Sequence, residues 1–155
     1  MGDINRILVV SGITIYCQNA VHYGISLSRK YDADLYIIHI THNPFGLEGW
    51  NVPMVSLKEE YDKIIKDAKQ NLNEILTREK AEGLSAQVLM REGRPTEEIL
   101  KVIKEENIDL LIMLAHEESR LEHFESILEN FLFGRSNEEL IRKMPCPILL
   151  VKPEP

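Results

Sequence analysis

At 155 residues, with 44% hydrophobic and 28% charged side chains, the chain has the make-up of one soluble globular domain that can bury a core without disulfides or metals. Its net charge of −7 argues against a nucleic-acid or anionic-membrane partner, because no basic excess exists to neutralise phosphates. No run approaches the roughly 18 apolar residues of a membrane span, and no basic n-region or small-residue cleavage site accompanies Ile7 to Val10, so no signal peptide and a cytoplasmic home are expected.

The predicted elements alternate strand and helix. Arg6 to Ser11 is a short continuous apolar run, as a parallel strand buried on both faces should be. A helix is expected from about Thr14 to Tyr31, with Ala20, Gly24, Leu27 and Tyr31 on one face at spacings of 4, 3 and 4. Asp34 to Ile40 reads as the second strand. A Gly- and Pro-bearing loop follows from about Thr41 to Val55, long for a compact α/β unit.

The second helix is expected from about Ser56 to Glu82. Ser56 with Glu59 makes a capping box, Tyr61, Ile64, Ala68, Leu72, Ile75 and Leu76 supply the inward stripe, and Gly83 ends it. Ala86 to Arg91 is the third strand. Pro95 opens a third helix, with Thr96, Glu97 and Glu98 suited to its positive end. Asp109 to Ala115 is the fourth strand, a helical region follows, and Pro147 to Val151 is the fifth. Strands alternating with helices imply a parallel sheet with right-handed crossovers. No internal repeat or low-complexity tract interrupts the chain, which reads as a single domain over 1–155.

Several segments, together spanning nearly the whole chain, resemble the universal stress protein family. They are Ile7-Leu-Val-Val-Ser11, Ile38-His39-Ile40, Glu92-Gly-Arg-Pro-Thr-Glu-Glu-Ile-Leu100, Asp109-Leu-Leu-Ile-Met113, His116, Glu138, Arg142 and Pro145-Cys-Pro-Ile-Leu-Leu-Val151. The resemblance implies an α/β fold with an open five-stranded parallel sheet of order 3-2-1-4-5 and helices on both faces, Rossmann-like and similar to the adenine nucleotide alpha hydrolases. It also implies a homodimer through the last strand. In the nucleotide-binding branch of that family, ATP sits at the C-terminal ends of strands one and four, and a Gly-x2-Gly-x9-Gly-Ser/Thr cradle holds its phosphates.

This chain departs from that cradle position by position. The acidic residue that normally follows the first strand is Gly12. The first two cradle glycines are Leu114 and Glu117, and sixteen residues, 118 to 133, separate Glu117 from Gly134. Glu117 and Glu118 would put carboxylates where phosphates belong. Like charges there cost roughly 4 kcal/mol per pair at an effective dielectric near 20. From 117 to 129 five Glu face one Arg, a balance of −4. Gly134 survives, but Arg135 replaces the hydroxyl residue that should follow it.

Gly134-Arg135-Ser136-Asn137 admits two readings. It is an anion site at a helix start with Arg135 as a forked donor, or Ser136 caps the last helix and Glu139 closes the box. The insertion 121–133 carries Leu121, Phe124, Leu128 and Phe131 at spacings of 3, 4 and 3, an amphipathic helix that packs on its own domain or meets a partner. The loop around Trp50 covers the crevice mouth, contacts a partner, or folds back as a satellite core. His116, His123, Glu117 and Glu118 lack a metal-ligand spacing. Cys17 and Cys146 form no CxxC pair; Cys146 reads as a small buried hydrophobe, and Cys17 as a thiol near a helix start.

No catalytic constellation emerges. The expected protein is therefore a regulatory interaction module with an unidentified protein partner, no cofactor and no enzymatic activity, dimerised through Ile148 to Val151. The alternative is a protein that binds ATP, AMP or a smaller anion through a modified crevice built from Gly12, Ile40, Gly134, Arg135 and Ser136.

Overall fold

The structure, a computed structural model, describes residues 3–11, 17–41, 55–115 and 137–152. The elements run β1 (Arg6–Ser11), α1 (Cys17–Tyr31), β2 (Asp34–Thr41), α2 (Val55–Ala81), β3 (Ala86–Glu92), α3 (Pro95–Glu105), β4 (Leu110–Leu114) and β5 (Ile148–Val151). A further helical stretch, 137–143, leads into β5. The five strands make one sheet in the order β3-β2-β1-β4-β5, and every pairing is parallel.

Because side chains alternate across a strand, each strand feeds two cores. Ile7 and Val9 of β1, Leu35 and Ile37 of β2, Ile112 of β4 and Val151 of β5 point to one face. There they meet Ala20, Val21 and Ile25 of α1 and Leu72 and Leu76 of α2. Leu8, Val10, Ile38, Ile40, Leu111 and Met113 point to the other. That face is covered by Ile99, Val102 and Ile103 of α3 and by Leu140 of the 137–143 stretch. Both faces are dry, which is why the central strands read as unbroken apolar runs.

α1 lies close against the sheet at Gly24. A Cβ there would stand 2.3 Å from Val9 Cγ2 and 3.2 Å from Leu35 Cδ1, so only glycine lets the helix axis approach this far. The inward face of α1 is rotated from the expected one. Ala20 and Gly24 are buried and Leu27 partly so, but Tyr31 is 53% exposed and Ser28 is buried instead. The aromatic position falls on the last residue of the helix, where the chain turns away from the sheet, and a small hydroxyl fits beneath the helix better than a ring.

α2 begins at Val55, one residue before the expected cap, so Ser56 stands inside the first turn. Leu72 and Leu76 are buried as read, with Ile75 partly so; the side chains of Tyr61, Ile64 and Ala68 lie outside the described residues. The three long helices end alike. Asp32, Gly83 and Asn107 adopt positive φ of 54°, 99° and 52°. The next amide then reaches back five residues, Ala33 N–H to Ser28 O, Leu84 N–H to Glu79 O and Ile108 N–H to Ile103 O, at 2.9, 3.1 and 3.0 Å. This left-handed closure satisfies orphan carbonyls and turns the chain into the following strand within a few residues.

At the N-terminal edge of the sheet Asp109 ties β1 to β4. Its Oδ2 accepts the backbone N–H groups of Asn5 and Arg6, each at 2.9 Å, while Arg6 Nη1 donates to Glu106 O at 3.0 Å. The aspartate that precedes the apolar run of β4 therefore has a structural use: it positions the first strand.

Candidate functional site

The connections from β1 and from β4 leave the sheet in opposite directions, since β1 lies between β2 and β4. Such a reversal opens a crevice at the carboxyl ends of the two strands, the usual ligand position of open α/β sheets. Ser11 ends β1 and is buried; Leu114 ends β4 and is half-buried.

Of the five candidate binding residues, Ile40 is described. It is buried near the end of β2 within the core on the α3 side. Gly12, Gly134, Arg135 and Ser136 lie outside the described residues, as do the capping role of Ser136, the insertion 121–133, the Trp50 loop and the His116/His123 group. Leu114 shares the alternation of Leu110 and Ile112, whose side chains join the α1 face. It therefore stands on the α1 flank of the crest, across the sheet from Ile40.

The polar groups at the end of β4 are taken up by the chain itself. Asn137, which follows Ser136, donates its side-chain Nδ2 to Leu114 O at 2.9 Å. The backbone N–H of Ala115 donates to Val151 O at 2.8 Å. Asn137 closes the Gly134-Arg135-Ser136-Asn137 segment read from the sequence as a candidate anion site, and the structure gives its side chain to the Leu114 carbonyl instead.

One titratable group near the crest is strongly perturbed. His39, at the end of β2 and paired in register with Ser11 of β1, is 1% exposed. Neither Nδ1 nor Nε2 has a hydrogen-bond partner. Burial, and then the positive charge of Lys69 on α2, push its pKa down to about 4, so at neutral pH the ring carries no charge. Cys146 is half-buried, and desolvation raises its thiol pKa despite a backbone hydrogen bond involving Leu111. That is the environment of an inert thiol rather than a reactive one. The side chain of Cys17, the first residue of α1, lies outside the described residues. Among the described residues no group of three or more His, Cys, Asp or Glu side chains could hold a metal ion, and no helix is long and apolar enough to cross a membrane.

The geometry has counterparts among known proteins. The profile of the universal stress protein family matches residues 3–152. A universal stress protein of Methanothermobacter thermautotrophicus is 26% identical over 160 aligned residues, covering 98% of this chain and 99% of that protein. One from Methanocaldococcus jannaschii is 30% identical, covering 86% and 73%. Among solved structures, the universal stress protein of Archaeoglobus fulgidus in complex with dAMP superposes with a TM-score of 0.61 at 14% identity, covering 98% of this chain and 100% of that one.

Proposed function

This chain belongs to the universal stress protein family, and from that premise we propose that it works as a regulatory interaction module, without enzymatic activity, whose β1/β4 crevice no longer takes ATP in the family's manner. The observation that carries this reading is the state of the β4 end. Where the nucleotide-binding branch has a glycine, Leu114 places a side chain on the α1 flank of the crest, and the Ala115 N–H beside it is already paired with Val151 O. Backbone groups so occupied are not free to meet a ligand. The carboxylates of Glu117 and Glu118 add repulsion against a triphosphate.

The module is proposed to act in the cytoplasm as a homodimer that presents its surface to a protein partner. β5 is an edge strand, paired with β4 alone in the sheet, and an unpaired edge calls for cover. Beside it Leu150 and Met144 are 44% and 55% exposed, with Ile141 also exposed. Two copies meeting edge to edge through Ile148 to Val151 would satisfy the backbone groups and cover these side chains in one contact. Light scattering of the purified protein should return twice the mass of one chain, and Leu150→Glu should halve it. A monomer in the unaltered protein removes the proposed dimer.

A second reading keeps an adenine nucleotide or a small anion in the same crevice, held by Gly12, Ile40, Gly134, Arg135 and Ser136. It is favoured by the fold shared with the A. fulgidus protein, whose structure holds dAMP. Isothermal titration with Mg-ATP and with AMP, at physiological salt, separates the two. Absence of heat up to millimolar ligand, with the fold intact, is the expected result. Micromolar binding of either nucleotide overturns the first reading and makes Arg135→Ala the next variant.

A further inference from the structure

His39 is a buried titratable residue in an expensive position. Its side chain follows Leu35 and Ile37 in the alternation of β2, which directs it to the face covered by α1 and α2. A buried imidazole normally finds a partner for each nitrogen, and leaving them unpaired forfeits their hydration; here both remain unpaired. Its neighbours on the adjoining strands are Ser11 and Met90, neither of which carries a charge. The inward residues of α1 are Ala20, Val21 and Ile25, also uncharged. From α2, Lys69 acts on it as a like charge once the ring is protonated. Among the described residues no carboxylate acts on the ring to stabilise an imidazolium.

The grip of α2 on the sheet is uneven along its length. Toward its C-terminal end, Leu72 and Leu76 are buried, and Glu79 and Glu82 pair with Arg29 of α1. The half that precedes Leu72 carries Lys69, whose charge reaches the His39 ring. We infer that His39 makes this half of α2 an acid-released element: a proton on the ring unseats it from the sheet, while the Arg29 end and the α3 face stay in place.

The sign follows from linkage. The ring binds a proton less readily in the closed fold, with a pKa of about 4, than in an opened state near 6.5. The stability it contributes is therefore complete above the opened-state value and is lost progressively as pH falls from there toward 4. By pH 5 the closed-to-open ratio should have dropped about 30-fold from its value at pH 7.5.

Hydrogen exchange read by mass spectrometry at pH 7.5 and 5.0, corrected for the intrinsic chemistry of exchange, tests this on the whole chain. Peptides from α2 ahead of Leu72 should lose protection by about 30-fold relative to peptides from β1 and α3, and His39→Leu should abolish that differential loss. An unchanged loss in His39→Leu, or a loss shared equally by β1, α2 and α3, overturns the proposal. Should His39→Leu fail to fold, NMR of the His39 ring in the unaltered protein decides. A ring that stays neutral down to pH 5 in the closed fold supports the proposal, and one that titrates near its ordinary value there overturns it.

Discussion

The two faces of the sheet are built from the same strands and differ in how completely they are satisfied. The α3 face is apolar from Leu8 to Met113 and closes on Ile99, Val102 and Ile103. Its polar member at the edge, Arg91, reaches Glu105 of α3 at 3.8 Å, while its Nε is buried without a hydrogen bond. The α1/α2 face contains Ser28, whose Oγ is buried without a partner, and His39 with two such nitrogens. Each buried polar atom left unpaired costs about 1–3 kcal/mol. Among the described residues one face leaves one such atom unpartnered and the other three, so the first is the better-satisfied platform, and the second, as proposed, is conditional on the charge of a single ring.

Substitutions sort by which face they strike. The largest expected effect is on the platform. Leu111 is fully buried in the α3-side core, and Leu111→Ala should cost about 2–5 kcal/mol through lost transfer energy and the cavity left behind. Urea unfolding at pH 7.5 and at pH 5 should return the same cost at both, because the adjoining Cys146 thiol, pushed up by burial, stays protonated at each. A cost that changed strongly with pH would show the two faces to be coupled, and the comparison above would fail.

Next comes the contact of the conditional face itself. Gly24→Ala inserts a methyl 2.3 Å from Val9 Cγ2, and Val9 sits in a central strand that cannot yield. The alanine gains about 1 kcal/mol of helix propensity against an overpacking cost of about 1–3 kcal/mol. A net loss near 1 kcal/mol is expected, read as a lowered midpoint with the sheet's exchange protection retained. A stabilised variant would mean that α1 can lift without cost and that the close approach at Gly24 is not needed.

Legibility in the sequence followed the same division. Strands buried on both faces need only a continuous apolar run, so Ile7 to Val10, Ile37 to Ile40 and Leu110 to Met113 were readable as they stand. Pro95 at the first turn of α3 and Gly83 after α2 were readable because each has one backbone use. Asp32 and Asn107, which close α1 and α3 in the same left-handed conformation, were passed over because Asp and Asn serve many turns besides this one. The rotation of α1 that buries Ser28 and exposes Tyr31 was missed because hydrophobic periodicity ignores a small hydroxyl that fits. The altered motif after β4 was legible, but the pairing of Asn137 with the Leu114 carbonyl depends on a contact between residues 23 apart in sequence. The burial of His39 depends on helices packing onto its face of the sheet, which no local pattern encodes.

The smallest expected effect lies at the fixed end of α2. Arg29 of α1 pairs with both Glu79 and Glu82, and its side chain remains nearly half exposed. Exposed ion pairs contribute about 0–1 kcal/mol and fade with salt, so Arg29→Ala should barely move the unfolding midpoint, and the difference should vanish in molar salt. Its value lies in locating the hinge. If the C-terminal end of α2 anchors the helix while the half near His39 opens, removing Arg29 should speed exchange in the last turns before Gly83 at neutral pH. It should leave the acid response ahead of Leu72 unchanged. An acid response that spread along the whole helix in this variant would show that the ion pairs, and not Leu72 and Leu76 alone, set where the opening stops.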